Sequence, residues 1–143
     1  MNIRSSYIFA IYLLLISCSN DDDNSQNLID NLGVVNITID LSDPDNQILL
    51  QNKGYKYFEG GRRGVLVINR NLSNFIAFER NCTFQPNNAC ATVSMHPSLE
   101  FLLDSCCSSQ FDLNGQVLQA PATDPLIQYS TFQVGNELRI QYP

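Results

Sequence analysis

The sequence has few basic residues and a single histidine. Its 143 residues include 8 Lys and Arg against 14 Asp and Glu, which gives a formal net charge of −6. Proteins that bind nucleic acid need a clustered basic face, and the scattered Lys and Arg residues do not supply one. His96 precedes a proline in the segment SMHP, where we expect a solvated loop side chain. The composition therefore argues against a nucleic-acid partner and gives little support to histidine-dependent catalysis.

The sequence also lacks an apolar run long enough to span a bilayer comfortably. The apolar segment YIFAIYLLLIS has about eleven residues, which suits a signal-peptide core. It ends in Leu-Ile-Ser before Cys18, and this pattern resembles the lipobox of bacterial lipoproteins. In that family the signal is cut before the cysteine, which is then acylated. The resemblance implies a signal peptide at residues 1–17 and stable anchoring through lipid on Cys18; a plain secretory signal is the alternative.

A polar, acidic segment, SNDDDNSQN, follows Cys18. It has no hydrophobic periodicity, so residues 18–31 are predicted to form a flexible tether. An acidic run directly after the lipidated cysteine also resembles the surface-export signals of Bacteroidota lipoproteins, with an ordinary solvated tether as the alternative. These resemblances imply an outer-membrane lipoprotein of the bacterial cell envelope, with its membrane contact through Cys18.

From residue 32 onward, short apolar segments alternate with turn signals. The length and the hydrophobic fraction of 44% suit one domain, residues 32–143, with a real core. No helix longer than two turns is predicted, and many short strands with regular turns indicate an all-β antiparallel sandwich or barrel. Asn114-Gly115 predicts a two-residue hairpin. The predicted strands are 35–41, 64–69, 75–79, 99–103, 111–113, 116–118, 127–134 and 137–142.

Several landmarks in the second half of the chain occur in a familiar order. The segment AFERNCTF ends at Phe84, CCSSQFD ends at Asp112, and a Gly115 turn, an Ala-Pro-Ala loop, a Pro-Leu pair and the segment VGNELRI follow. From about Gly64 to the end, the chain resembles the Rieske iron–sulfur domain. That family has a first box, Cys-x-His, and a second box, Cys-x-Cys-His-Gly-Ser-x-Phe-Asp. The resemblance implies a Rieske-like fold with a disulfide-stapled loop region.

The resemblance does not extend to the cluster ligands. A Rieske centre needs two thiolates on one iron and two imidazoles on the other. Cys82 stands at the first Cys and Phe84 at the first His, whereas Asp104 falls at the second Cys and Cys107 at the second His. We therefore expect no conventional 2Fe–2S cluster, no bound metal and no catalytic residue. The expected function is a binding or accessory module for an unknown envelope protein or ligand.

Apart from Cys18, the chain has four cysteines. An even number in an exported protein predicts two disulfides, for which three pairings exist. The resemblance places Cys82 and Cys107 at facing ligand positions, and it implies the pairs Cys82–Cys107 and Cys90–Cys106. A bond between the neighbours Cys106 and Cys107 would be strained.

Other uses of these cysteines stay open at this point. Cys82, Cys90, Cys106 and Cys107 together could hold zinc or an atypical 2Fe–2S cluster for electron transfer, although adjacent ligands are awkward for a tetrahedral site. A redox-active disulfide would normally show a Cys-x-x-Cys motif, which the sequence lacks. A cysteine nucleophile would need His96 close by as a base.

Overall fold

A computed structural model describes residues 34–142 of the protein. The predicted signal peptide (1–17), the tether (18–31) and Cys18 lie outside the described residues. Ten strands and one 3₁₀-helix, Pro44–Leu50, make up the described chain. The strands are β1 (Asn36–Asp40), β2 (Tyr55–Phe58), β3 (Val65–Asn69), β4 (Phe75–Glu79), β5 (Val93–Met95), β6 (Leu102–Asp104), β7 (Gln110–Phe111), β8 (Val117–Gln119), β9 (Gln128–Val134) and β10 (Glu137–Gln141).

The strands form two antiparallel sheets. A six-stranded sheet, which we call the base sheet, has the order β1-β10-β9-β4-β3-β2. A four-stranded sheet, the tip sheet, has the order β5-β6-β7-β8. The chain leaves the base sheet after β4 and returns to it at β9, so the whole tip sheet is an insertion between two neighbouring strands. The predicted all-β antiparallel architecture is confirmed.

Two neighbouring strands of the base sheet, β3 and β4, are buried along their whole length. Every residue of β3 and β4 is buried. Successive side chains of a strand point to opposite faces, so each strand contributes to two cores. Leu66, Ile68, Ile76 and Phe78 pack with residues of the tip sheet, including Phe111. The alternate residues, such as Val65, Val67 and Ala77, pack with β1, β9 and β10. The tip sheet is therefore fixed to the base by a shared apolar core.

Most predicted strands are confirmed, but two strands of the structure were not predicted and one has different bounds. Strands β2 and β5 were not predicted. The segment 99–103 becomes a strand only at Leu102, since Leu99 has a φ of 59°.

The prediction of a two-residue turn at Asn114-Gly115 is wrong, although β7 and β8 do pair. The backbone N–H of Asp112 donates to the carbonyl of Gln116 at 2.8 Å. This bond leaves three residues, 113–115, in the loop instead of two. The Asp112 carboxylate also accepts hydrogen bonds from the backbone N–H groups of Asn114 and Gln116. A glycine is required at position 115, where φ is 78° and a Cβ would lie 2.6 Å from the Phe78 ring.

A buried carboxylate, that of Glu79 at the end of β4, joins three parts of the base sheet. One oxygen accepts hydrogen bonds from the Arg62 backbone N–H and the Tyr129 hydroxyl, both at 2.8 Å. The other accepts from the backbone N–H groups of Arg63 at 2.9 Å and Asn81 at 2.8 Å. Burial is the main cause that raises the pKa of the Tyr129 phenol well above its usual range, and the neighbouring Glu79 acts in the same direction. The hydroxyl therefore stays a donor.

Replacement of Glu79 should therefore destabilise the whole domain. Glu79→Ala leaves four donors without their acceptor, and we expect the free energy of unfolding to fall by at least about 3 kcal/mol. Tyr129→Phe removes one bond to the carboxylate and should lower it by about 1.5–3 kcal/mol. Urea denaturation followed by circular dichroism measures both changes.

The matched control is Glu100→Ala, because the Glu100 side chain is 70% exposed and pairs with Lys53 at the surface. Exposed ion pairs contribute about 1 kcal/mol or less. If Glu79→Ala destabilised the protein no more than Glu100→Ala does, the role assigned to the buried carboxylate would be wrong.

Candidate functional site

The far end of the tip sheet is formed by two loops. The first tip loop, residues 80–92, connects β4 to β5, and an isolated bridge between Asn81 and Thr92 closes its base. The second tip loop, residues 105–109, connects β6 to β7. These are the two segments that the resemblance aligned with the first and second ligand boxes.

Three potential ligands converge here, one from each tip loop and one from the end of β6. The donor atoms of Cys82, Asp104 and Cys107 all lie within 4.8 Å of one another. The two sulfur atoms are 3.9 Å apart. Cys82 and Asp104 are fully buried, and Cys107 is half-buried. Three of the four positions that the resemblance matched to cluster ligands are thus brought together by the fold.

Phe84, at the fourth position, contributes no donor atom. Its ring is partly buried and packs against the core that the two sheets share. It also lines an open groove of about 550 Å³ between residues 83–88 of the first tip loop and the segment containing Thr123 and Asp124. The first residues that line this groove directly follow Cys82 in the sequence. However, Cys82, Asp104 and Cys107 do not line it.

Asp104 organises the second tip loop. Its Oδ1 accepts hydrogen bonds from the backbone N–H groups of Cys106 at 2.6 Å and Cys107 at 3.3 Å. Its own backbone pairs with Ser108 and Ser109. Ser108 has a φ of 67°, in the region that favours glycine, and it stands where the second box of the Rieske family has its glycine. The loop therefore has a tight, glycine-type bend with an aspartate at its start.

The environment of Cys82 keeps its thiol protonated. Burial raises the pKa of the Cys82 thiol far above its usual range. The neighbouring Asp104 carboxylate acts in the same direction, while a backbone hydrogen bond from Phe84 acts against it. Cys82 is therefore a poor nucleophile.

A disulfide between Cys90 and Cys106 crosslinks the two tip loops, with the Cα atoms 5.6 Å apart. It is one of the two bonds that the resemblance implied. Cys82 and Cys107 are separate thiols in this structure, and their predicted disulfide stays a prediction. Since Cys90 and Cys106 are bonded to each other, the four cysteines do not form a four-thiolate ligand set here.

His96 is held by its own loop. Its ring stacks on Phe101, with centroids 4.1 Å apart, and its Nδ1 lies 2.9 Å from the Ser98 hydroxyl. No described hydrogen bond joins His96 to a cysteine among residues 34–142. The structure therefore gives no support to a His96–cysteine catalytic pair.

Two arginines that lie outside both ligand boxes hold the first tip loop. The Arg62 guanidinium donates to the Asn87 side chain at 2.7 Å. The Arg63 guanidinium donates to the backbone carbonyls of Asn88 at 2.7 Å and Ala89 at 2.9 Å. The sequence signal was weak, because a Gly-Gly-Arg-Arg-Gly segment is typical of a turn with solvated side chains.

Ser109 was also missed, although the second box of the motif contains a serine at its position. Its buried hydroxyl lies 3.1 Å from the Cys107 sulfur and accepts a hydrogen bond from the Ala122 backbone N–H at 2.9 Å. Ser109 therefore links the second tip loop to the segment that returns to the base sheet.

Comparison with known proteins supports the fold. The crystal structure of the cyanobacterial plasma membrane Rieske protein PetC3 from Synechocystis PCC 6803 superimposes with a TM-score of 0.52 and 27% sequence identity. The match covers 62% of this chain and 86% of that chain. No protein-family model and no curated protein sequence matches the chain. The fold is therefore Rieske-like, as the order of the sequence landmarks implied.

Among residues 34–142, no helix has the length and apolar character needed to cross a membrane.

The Cys90–Cys106 crosslink should stabilise the protein measurably. The two residues are separated by 16 positions. A crosslink that closes a loop of that length lowers the conformational entropy of the unfolded chain, which stabilises the folded protein by about 3 kcal/mol. We expect the double variant Cys90→Ser, Cys106→Ser to lose about that much free energy of unfolding in urea titrations.

The control is a reducing agent. It should destabilise the wild-type protein by a similar amount and leave the double variant unchanged. Equal stability of wild-type and double-variant proteins under oxidising conditions would contradict a stabilising crosslink.

Proposed function

We propose that this protein is a lipid-anchored module of the bacterial envelope that uses a Rieske-like scaffold without a conventional 2Fe–2S cluster. Its role is to bind a ligand or an envelope partner rather than to transfer electrons. The observation that carries this proposal is the donor set at the tip: two thiols, one carboxylate and no imidazole.

This donor set does not fit a conventional Rieske centre. Such a centre needs two imidazoles on one iron, in addition to two thiolates on the other. At the corresponding positions, Phe84 offers only ring carbons and Cys107 offers sulfur. The single histidine, His96, is hydrogen-bonded to Ser98 in a different loop. No step through a 2Fe–2S cluster is therefore part of the proposed function.

The packing supports a tip that is ordered by the protein itself. Cys82 belongs to the apolar core shared by the two sheets, together with Phe78 and Phe111. The Cys90–Cys106 disulfide joins the tip loops, and Asp104 closes the second of them. These contacts do the structural work that metal–ligand bonds would do in a cluster-bearing domain.

The envelope location is supported by two features of the chain. The lipobox-like sequence before Cys18 predicts an acylated N-terminus, and a disulfide suits an exported protein. The structural neighbour PetC3 is described as a plasma membrane protein, which is compatible with this location.

Iron and sulfide analysis tests the absence of a conventional cluster. We expect the wild-type protein, after anaerobic reconstitution with iron and sulfide, to hold no acid-labile sulfide and to lack the visible absorbance of a 2Fe–2S cluster. A cluster-bearing Rieske protein treated in the same way is the positive control. Two irons and two acid-labile sulfides per wild-type chain would overturn the proposal in favour of electron transfer by an atypical cluster.

A matched variant tests whether the ligand set is what limits cluster binding. Phe84→His, Asp104→Cys and Cys107→His together restore two thiol and two imidazole donors on the same scaffold. We expect this triple variant to acquire visible absorbance and bound iron under the same reconstitution. If the wild-type protein bound as much iron as the triple variant, the argument from the donor set would fail.

Lipid anchoring has its own test. In bacterial cells supplied with a clickable fatty acid, the wild-type chain should incorporate the label and Cys18→Ser should lose it completely, because acylation needs the cysteine sulfur and the new N-terminus. Cys107→Ser is the matched control and should keep the label. Equal labelling of Cys18→Ser and wild type would contradict the lipid anchor.

A further inference from the structure

The two free thiols and the carboxylate at the tip have the spacing of ligands to one ion. Thiolates bind zinc at about 2.3 Å, so two of them on a tetrahedral ion lie about 3.8 Å apart. The sulfur atoms of Cys82 and Cys107 are 3.9 Å apart. A disulfide would instead require a sulfur–sulfur distance of about 2.05 Å. The observed spacing therefore suits a single bound ion without rearrangement of the two cysteines.

Asp104 has one carboxylate oxygen available for this ion. Its Oδ1 is held by the backbone N–H groups of Cys106 and Cys107, which fixes the plane of the carboxylate. Its Oδ2 is buried and has no hydrogen-bond partner among residues 34–142. An unpartnered buried acceptor destabilises a folded protein, because its hydrogen bond to water is lost and not replaced. A cation at the tip would remove that penalty, because it would supply the missing partner.

The loops hold the three donors in place before any ion binds. Cys82 is anchored by its backbone N–H, which donates to the Ala91 carbonyl at 3.2 Å. Cys107 follows Cys106, whose disulfide to Cys90 ties the second tip loop to the first. The Ser109 hydroxyl lies 3.1 Å from the Cys107 sulfur and can donate to it once the thiol has lost its proton. Such outer contacts orient ligands and increase metal affinity.

We propose that Cys82, Asp104 and Cys107 bind a single zinc ion, with the fourth coordination position open to water. A set of two thiolates and one carboxylate combines soft and hard donors, which suits a borderline ion such as Zn²⁺ better than Mg²⁺ or Ca²⁺. Binding would replace the two thiol protons, which are released to solvent, by two zinc–sulfur bonds. With two thiolates, one carboxylate and one dication, the site would carry a net charge of −1.

This site differs from the four-cysteine alternative, since it needs neither Cys90 nor Cys106. It also differs from a Rieske centre, since it places one ion where that centre has two irons. It extends the proposed function by naming an ion that the tip binds. The zinc site and the proposed function can fail separately. If the protein binds neither zinc nor iron, the zinc site is wrong and the proposed function still stands.

Cobalt substitution tests the site with a direct readout. The full-length protein is purified under argon without reductant, so that the Cys90–Cys106 disulfide is kept, and bound metal is removed with a chelator. Titration with Co²⁺ should give one ion per chain, a sulfur-to-cobalt charge-transfer band in the near ultraviolet, and the visible bands of a tetrahedral ion. Zn²⁺ should displace the cobalt stoichiometrically.

Variants assign the ligands. Loss of a residue that only contacts a ligand typically weakens metal binding about 10–100-fold. Cys82 and Cys107 are proposed as direct ligands, so Cys82→Ser and Cys107→Ser should each weaken Co²⁺ binding by at least about 100-fold and reduce the charge-transfer band. Asp104→Asn should weaken binding but keep the band. Asp124→Asn, at an exposed position of the return segment, is the matched control and should bind like wild type. Thermal melts of the metal-free variants check that each is folded.

Several results would overturn the zinc site. One is Co²⁺ binding by the wild type that is no tighter than binding by the double variant Cys82→Ser, Cys107→Ser. Another is a charge-transfer band that survives in that double variant. A third is a wild-type protein, isolated under argon, that shows no free thiol after unfolding, since Cys82 and Cys107 would then form a disulfide. Two irons with sulfide would overturn the proposed function as well.

Discussion

The buried carboxylate of Glu79 is the constraint on which the arrangement of the tip depends. It lies where β4 ends and the first tip loop begins, and it fixes the turn after β2 by accepting from Arg62 and Arg63. A glycine is required at position 61, where φ is 60° and a Cβ would lie 2.1 Å from the Glu79 carboxylate. The arginine side chains of the same turn then hold the first tip loop through residues 87–89. One buried charge thus connects the base sheet to the segment that presents Cys90.

The tip is an integral part of the hydrophobic core. Alternate residues of β3 and β4 face the tip sheet, and Cys82 is buried in the cluster that they form. Apolar packing and a disulfide therefore hold the loops through the protein's own contacts. A scaffold of this kind separates the stability of the loops from the identity of whatever they bind.

The sequence predicted the strands that carry a clear alternating or β-branched pattern and missed two that do not, β2 and β5. Strands such as β1 and β3 have such a pattern between turn signals, whereas β5 has only three residues. At the site, aligned motifs predicted which positions would meet, and Cys82, Asp104 and Cys107 do meet. They could not predict that Asp104 would cap the second tip loop, because that depends on backbone geometry such as the positive φ of Ser108.

The aspartate at position 104 decides what the tip can do. A thiolate there could share in a redox-active iron centre, but a carboxylate is a harder ligand and has one oxygen committed to backbone N–H groups. Zinc has no redox chemistry of its own. On the zinc proposal, the tip would therefore present a fixed negative charge and an open coordination position in place of an electron carrier. A partner of such a tip would then be selected by charge and by a donor atom for the ion, and not by a reduction potential.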